Sequence, residues 1–411
     1  MKYVMLVGDG MGDVPIAELG GRTVLAAART PAMDRLAREG ELLLVRTVPE
    51  GFPPGSDVAN LSLLGYEPQE CYTGRAPLEA ASMGVEIGPG ELAFRCNLVT
   101  VDFRPDGSVT MRDYSAGHIS TPESARLIQA IQERCAPAGI RFHAGISYRH
   151  LMVLRGEAPA IDTVPPHDHM DRDVTGFYRR YLQAEPLRTV MECSRQVLAE
   201  HPVNRERVSR GQRPANAIWL WGEGGSPAME PLRTRFGIRG SLVSAVDLLK
   251  GIGVCAGLEV VEVEGATGYL DTNYDGKVAA ALASLERGDF VLVHVEAPDE
   301  AGHQGNLADK TRAIEDFDAR IVAPMVRALE QRGEPFRLVV TMDHYTPLSR
   351  RTHEDWPVPM LLYDSRHPGQ GSGLPYTEED VHRAVRESGL ELESGAAFFD
   401  RFIRGGAGGH G

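Results

Sequence analysis

The sequence predicts an α/β protein: a mostly parallel sheet flanked by helices, with a smaller α+β cap domain inserted. Three observations lead there. Short β-rich apolar runs at residues 2–8, 290–295 and 336–342 alternate with stretches of helical period, the order that buries a parallel sheet on both faces. Each run is followed by acidic or imidazole side chains: Asp9 after the first, Asp299 and His303 after the second, Asp343 and His344 after the third. Between about residues 86 and 170 the periodicity changes to paired extended segments around one helix.

Taken in order, residues 2–8 read as a buried strand and residues 31–37 as a helix with apolar residues at helical spacing. The lead Pro53-Pro54-Gly55 precedes a helical run that begins at Ser56. Within the insertion, residues 92–102 and 109–114 read as neighbouring strands joined by the turn Pro105-Asp106-Gly107. Residues 122–134 read as a helix and residues 141–154 as extended chain. The division expected is therefore a core of residues 1–85 and 170–411 and a cap of residues 86–169. The segment 167–201 returns the chain to the main sheet. Residues 310–331 read as one long helix, and the tail from Gly405 has nothing to bury, so His410 receives no role.

Length fits two domains: 411 residues exceed the usual single core. No apolar run approaches the roughly 20 residues of a membrane span, and the first residues lack the form of a signal peptide. A formal net charge of −14 disfavours a nucleic-acid partner. Five cysteines, Cys71, Cys96, Cys135, Cys193 and Cys255, contain no CxxC pair, which argues against a disulfide framework and for a reducing cytoplasm. Nothing in the sequence indicates an oligomeric state.

The chemistry resides in a conjunction. Ligands of open parallel sheets bind beyond the carboxyl ends of the strands, so Asp9, Asp299, His303, Asp343, His344 and the nearby His353 are expected to converge. Asp299-x-x-x-His303 places two donors on one helical face, whereas an aspartate after a strand is by itself as often a helix cap. Three carboxylates and three imidazoles suffice for two divalent cations with a coordination position open on each. Mixed N/O donors suit Mn²⁺ or Zn²⁺, whereas Mg²⁺ alone favours all-oxygen coordination; Mn²⁺ is the expected ion, with Zn²⁺ or Mg²⁺ as alternatives. Ser56 at a helix N-terminus could be a simple cap; beside a metal cluster it is a nucleophile whose phosphorylated form the helix end favours.

Asp9-Gly10-Met11-Gly12-Asp13, Pro54-Gly55-Ser56-Asp57, Leu63-Leu64-Gly65-Tyr66, Tyr72-Thr73-Gly74-Arg75, Asp299-Glu300-Ala301-Gly302-His303 and Asp343-His344 with His353 together resemble the archaeal-type cofactor-independent phosphoglycerate mutases. The resemblance extends over nearly the whole chain, including Phe94-Arg95-Cys96-Asn97. It implies an alkaline-phosphatase-like core with an inserted cap, and interconversion of 3- and 2-phosphoglycerate through a phosphoserine at Ser56, with two divalent metals and no 2,3-bisphosphoglycerate. By position, one ion would be held by Asp9, Ser56, Asp343 and His344, and the other by Asp299, His303 and His353. One departure is Asn60, where relatives commonly carry His. With Asp271-Thr272-Asn273-Tyr274, the Ser-Asp-Val-Ala-Asn form also looks like a bacterial subgroup proposed to phosphorylate homoserine. A phosphotransferase for another small hydroxy acid, a phosphomonoesterase and a non-catalytic metal-binding protein are the alternative readings.

A small phosphorylated hydroxy acid needs cationic partners, Arg above all for its bidentate fork. The candidates are Lys277, Arg149, His150, Arg95, His118 and Arg213.

Overall fold

The computed structural model describes residues 1–156 and 161–405. Two compact units emerge: Met1–Tyr72 together with the chain from Ala228 onward, and Thr73–Pro227. Residues 406–411, His410 among them, lie outside the described residues.

Among the described residues, the first unit holds an eight-stranded sheet in the order Glu391–Leu392, Glu41–Val45, Val358–Asp364, Phe336–Thr341, Lys2–Gly8, Phe290–Val295, Gly240–Val243, Glu259–Val260. The five strands from Phe336–Thr341 to Glu259–Val260 run parallel, whereas Val358–Asp364 is antiparallel to both its neighbours. Val4–Val7, Phe290–Val293 and Leu338–Val340 are all buried. Such central strands are covered on both faces, which is why they read as unbroken apolar runs.

The expected 310–331 helix is instead Leu307–Phe317, a π-helical turn Asp318–Val322, and Ala323–Arg332. Pro324 has no N–H to continue an α-helical ladder, and the turn widens so that Ala323 donates to the Asp318 carbonyl five residues back. Asp318 faces inward, where its carboxylate accepts from the backbone N–H groups of Ala32 and Met33 at the head of helix Pro31–Glu39.

The second unit is built on one long strand, Glu91–Phe103. Arg149–Arg155 pairs with it over residues 91–97, Ala217–Gly224 pairs over residues 93–99, and Val109–Asp113 pairs from Thr100 onward. Ile140–His143 adds to Arg149–Arg155. Helices Thr121–Cys135 and Leu187–Glu200 cover this sheet with Leu127, Ile131, Val190, Met191 and Val197.

Two expectations need correction. The inserted unit is larger than residues 86–169 at both ends. Helix Arg75–Ser82 packs Ala76 and Ala80 on Ala93 and Leu151, and the strand Ala217–Gly224 completes the ladder of Glu91–Phe103. Neither segment carries a local sign of its partners: the helix also packs on Leu151, and the strand joins one more than 100 residues earlier. The cysteines are not all unpaired either: Cys135 and Cys193 form a disulfide between helices Thr121–Cys135 and Leu187–Glu200, while Cys71, Cys96 and Cys255 are free. A separation of 58 residues carries no local signature. Among the described residues no helix is long and apolar enough to cross a membrane.

Candidate active site

Strand register assembles the site. Val7 lies opposite both His294 and Thr341, so the chain leaves three adjacent parallel strands at one level. Asp9 follows the first strand, Glu296 and helix Ala297–Gln304 follow the second, and Asp343 and His344 follow the third. Asp9, Asp343 and His344 are essentially inaccessible and Asp299 nearly so.

His344 Nε2 lies 3.6 Å from Asp9 Oδ1, 3.5 Å from Asp343 Oδ2 and 3.1 Å from Ser56 Oγ. Asp343 Oδ1 accepts from the backbone N–H groups of Gly10 and His344, and its Oδ2 accepts from Asn60 Nδ2 at 2.9 Å. Asn60 Nδ2 also donates to the Ser56 carbonyl. Ser56 opens helix Ser56–Leu63, as the sequence implied. Beside this group, Asp299 places Oδ2 3.2 Å from His303 Nε2 and Oδ1 3.4 Å from His353 Nε2. The structure thus brings all six expected donors and Ser56 together. By mutual distance of donor atoms, Asp9 and Asp343 group with His294, and Asp299 groups with His344 and His353. His344 therefore stands between the two halves.

The donor chemistry fits divalent cations. His303 Nδ1 meets the Arg351 carbonyl at 3.0 Å and His353 Nδ1 meets the Pro54 carbonyl at 3.4 Å. A carbonyl only accepts, so both Nδ1 atoms carry the hydrogen and both Nε2 atoms present lone pairs. Those two Nε2 atoms are 2.9 Å apart and face the Asp299 carboxylate, an arrangement that calls for a positive charge between them and matches the outer-sphere pattern of metal-binding histidines. Without metal a proton serves: the contact with Asp299 raises His303 to about 9. In the other half, Asp9 Oδ1 is buried without a hydrogen-bond partner. Burial, with Asp343 and Asp299 adding to it, raises Asp9 well above the ordinary carboxyl range. Against the effect of burial, His303 and His353 hold Asp299 well below it. Three buried carboxylates this close together need a cation for compensation.

Sequence reading missed His294, whose Nε2 is 3.0 Å from Asp9 Oδ2 but out of line for a hydrogen bond. Burial lowers it to about 4, so it is neutral at pH 7. Its position on a strand, preceding the loop, gave no motif to find it by. Lys277, expected at the substrate, is 1% exposed and donates to the His294 carbonyl at 2.8 Å. It supports the floor of the site and is not free to reach a ligand. Burial lowers it to about 8, and raises the nearby Glu296 to about 8.

The other five candidates belong to the second unit. Arg95 pairs with Glu79 at 2.8 Å and stacks on Trp221 at 3.8 Å. Burial lowers its guanidinium to about 10, with Arg75 and Arg149 contributing as neighbouring positive charges. Arg75, which the sequence reading passed over, has a buried Nε without a hydrogen-bond partner. Arg149 is exposed and lies over Tyr148, and His118 is exposed near the same ring. His150 and Arg213 are engaged elsewhere: His150 is buried, accepts from the Gly145 N–H and is lowered by burial to about 3, while Arg213 pairs with Asp113 at 2.9 Å.

A parallel α/β sheet whose strand ends gather carboxylates and imidazoles around a helix-heading serine defines a candidate metal-dependent phosphotransfer site. The sequence model described as 2,3-bisphosphoglycerate-independent phosphoglycerate mutase matches residues 37–204. A Geobacter sulfurreducens protein named a probable 2,3-bisphosphoglycerate-independent phosphoglycerate mutase is 53% identical over 403 residues, 98% of this chain and 100% of its own. A Methanosarcina mazei protein of that name without the qualifier is 50% identical over 382 residues, 93% of this chain and 95% of its own. The solved cofactor-independent phosphoglycerate mutase of Thermoplasma acidophilum superposes with a TM-score of 0.65 at 27% identity, covering 99% of this chain and 100% of its own. The chain belongs to the 2,3-bisphosphoglycerate-independent phosphoglycerate mutase family.

Proposed function

We propose that the protein interconverts 3-phosphoglycerate and 2-phosphoglycerate through a phosphoserine on Ser56. The observation that carries this is Ser56 Oγ, 3.1 Å from His344 Nε2 at the edge of the carboxylate and imidazole cluster. Asp9, Ser56, Asp343 and His344 would hold one divalent cation, and Asp299, His303 and His353 a second, Mn²⁺ by the mixed donor set. When bound, the cations neutralise charge on the transferring phosphoryl oxygens and favour the serine alkoxide.

The remaining steps belong to the chain. Ser56 Oγ forms a bond to phosphorus as the bond from phosphorus to the glycerate 3-oxygen breaks. The proton lost by the hydroxyl is matched by the one the 3-oxygen gains. The retained glycerate then presents its 2-hydroxyl, and the same exchange in reverse frees Ser56. The N-terminus of helix Ser56–Leu63 favours the negative charge that the phosphoserine carries. Asn60, which cannot carry a proton near neutrality, fixes the Ser56 carbonyl and Asp343 together. In this reading the enzyme works on the cytoplasmic pool of phosphoglycerates.

The test is to supply 3-phosphoglycerate to metal-stripped protein and then restore Mn²⁺. The expected outcome is no turnover before restoration, and 2-phosphoglycerate without free phosphate afterwards. Stoichiometric release of inorganic phosphate would make the protein a phosphatase, and turnover of homoserine but not phosphoglycerate would move it to the other branch.

A further inference from the structure

Thr346 lies three residues beyond Asp343, fully buried, and its side chain touches ligands of both halves of the site. Its Oγ1 is 2.5 Å from Asp299 Oδ1 and 3.3 Å from His344 Nδ1. A carboxylate only accepts, so the threonine hydrogen points to Asp299 and its oxygen is left to accept from His344 Nδ1–H. One hydroxyl therefore does two things. It orients Asp299, and it selects the His344 tautomer whose Nε2 lone pair faces Asp9, Asp343 and Ser56.

The backbone of Thr346 is held just as firmly. Lys310 is completely buried, and its ammonium donates three times: to the Thr346 carbonyl at 2.8 Å, the Gly12 carbonyl at 2.9 Å and Asp13 Oδ2 at 2.9 Å. Asp13 Oδ2 also accepts from the Leu348 N–H. The loop after strand Lys2–Gly8 and the loop after strand Phe336–Thr341 are thus stapled at one point. Space around the threonine is reserved by glycine: a Cβ on Gly10, whose φ is +60°, would come within 2.5 Å of Thr346 Oγ1, and one on Gly302 within 2.6 Å of the Thr346 carbonyl.

We propose that Thr346, anchored by Lys310, is a positioning residue that couples the two metal-binding halves by holding Asp299 and His344 through a single hydroxyl. The inference rests on the ligand assignment under the proposed function.

The experiment is Mn²⁺ titration of the metal-free protein by calorimetry, comparing wild type, Thr346→Val and Thr346→Ser, with folding checked by circular dichroism. A parallel ¹⁵N-histidine spectrum of metal-free protein reads the His344 tautomer. Wild type is expected to bind two ions and to hold His344 with the hydrogen on Nδ1. Thr346→Val keeps the shape but removes the hydroxyl, and should bind Mn²⁺ roughly 10–100-fold more weakly and lose the tautomer preference. Thr346→Ser should restore both. Wild-type affinity and tautomer in Thr346→Val would overturn the inference, and so would a Thr346→Ser protein as weak as the valine variant, since the methyl would then be what matters. Failure of wild type to bind two ions would instead remove the ligand assignment beneath it.

Discussion

The two halves of the site are built differently. Around Asp9, Asp343 and His344 the donors are sealed, and Asp343 alone accepts from two backbone N–H groups and Asn60. Around Asp299 the imidazoles reach the surface: the side chains of His303 and His353 are 34% and 22% exposed, and each is fixed by one backbone carbonyl. The sealed half also contains the nucleophile's neighbour, His344. On the proposed ligand assignment, the contrast implies a division of labour in which a cation in the sealed half would stay fixed beside Ser56 and one in the open half would exchange more readily with solvent.

Replacing Ser56 by Ala should have the largest effect, a loss of more than about 10⁴-fold in kcat, because it removes the hydroxyl that faces His344 Nε2. Next, Asp343→Asn should lower turnover by about 10³-fold, and added Mn²⁺ should not recover it, since the buried half loses a charge and an amide NH₂ replaces the oxygen that accepts from Asn60 Nδ2. His353→Gln should instead raise the Mn²⁺ concentration needed for half-maximal rate by roughly 10–100-fold, with most of kcat returning at saturation. If Mn²⁺ rescues both variants equally well, the two halves are equivalent and the comparison breaks.

The smallest effect concerns the floor of the sealed half. Lys277 is lowered by burial to about 8, against about 10.5 when unfolded. A depressed folded value contributes stability that is fully present above the unfolded pKa and is lost as pH falls through 8. Thermal melts should therefore show wild type gaining on Lys277→Met between pH 8 and about 10.5, and no further gain above. A constant difference across that window would show that Lys277 is not desolvated.

The parts of the molecule legible in sequence are those whose signal is local. Strands buried on both faces announce themselves as apolar runs, and Asp9, Asp299, His303, Asp343 and His344 sit at or just beyond their ends, so topology alone predicts their meeting. Thr346 and Lys310 were not legible: each is an ordinary residue on a loop or helix, and Lys310 meets Gly12 and Asp13 across nearly 300 residues. The limits of the inserted unit were misread for the same reason, since Ala217–Gly224 joins Glu91–Phe103 more than 100 residues away. Lys277 shows the converse error. A lysine beside a family-like motif suggested a ligand contact, while packing turned its ammonium onto the His294 carbonyl.

The most direct test of the account is peptide mass spectrometry of Mn²⁺-loaded enzyme quenched with acid during turnover of 3-phosphoglycerate. A phosphate on the peptide containing Ser56, absent from Ser56→Ala, is the expected result. An enzyme that turns over while Ser56 stays unmodified at every quench time would contradict it.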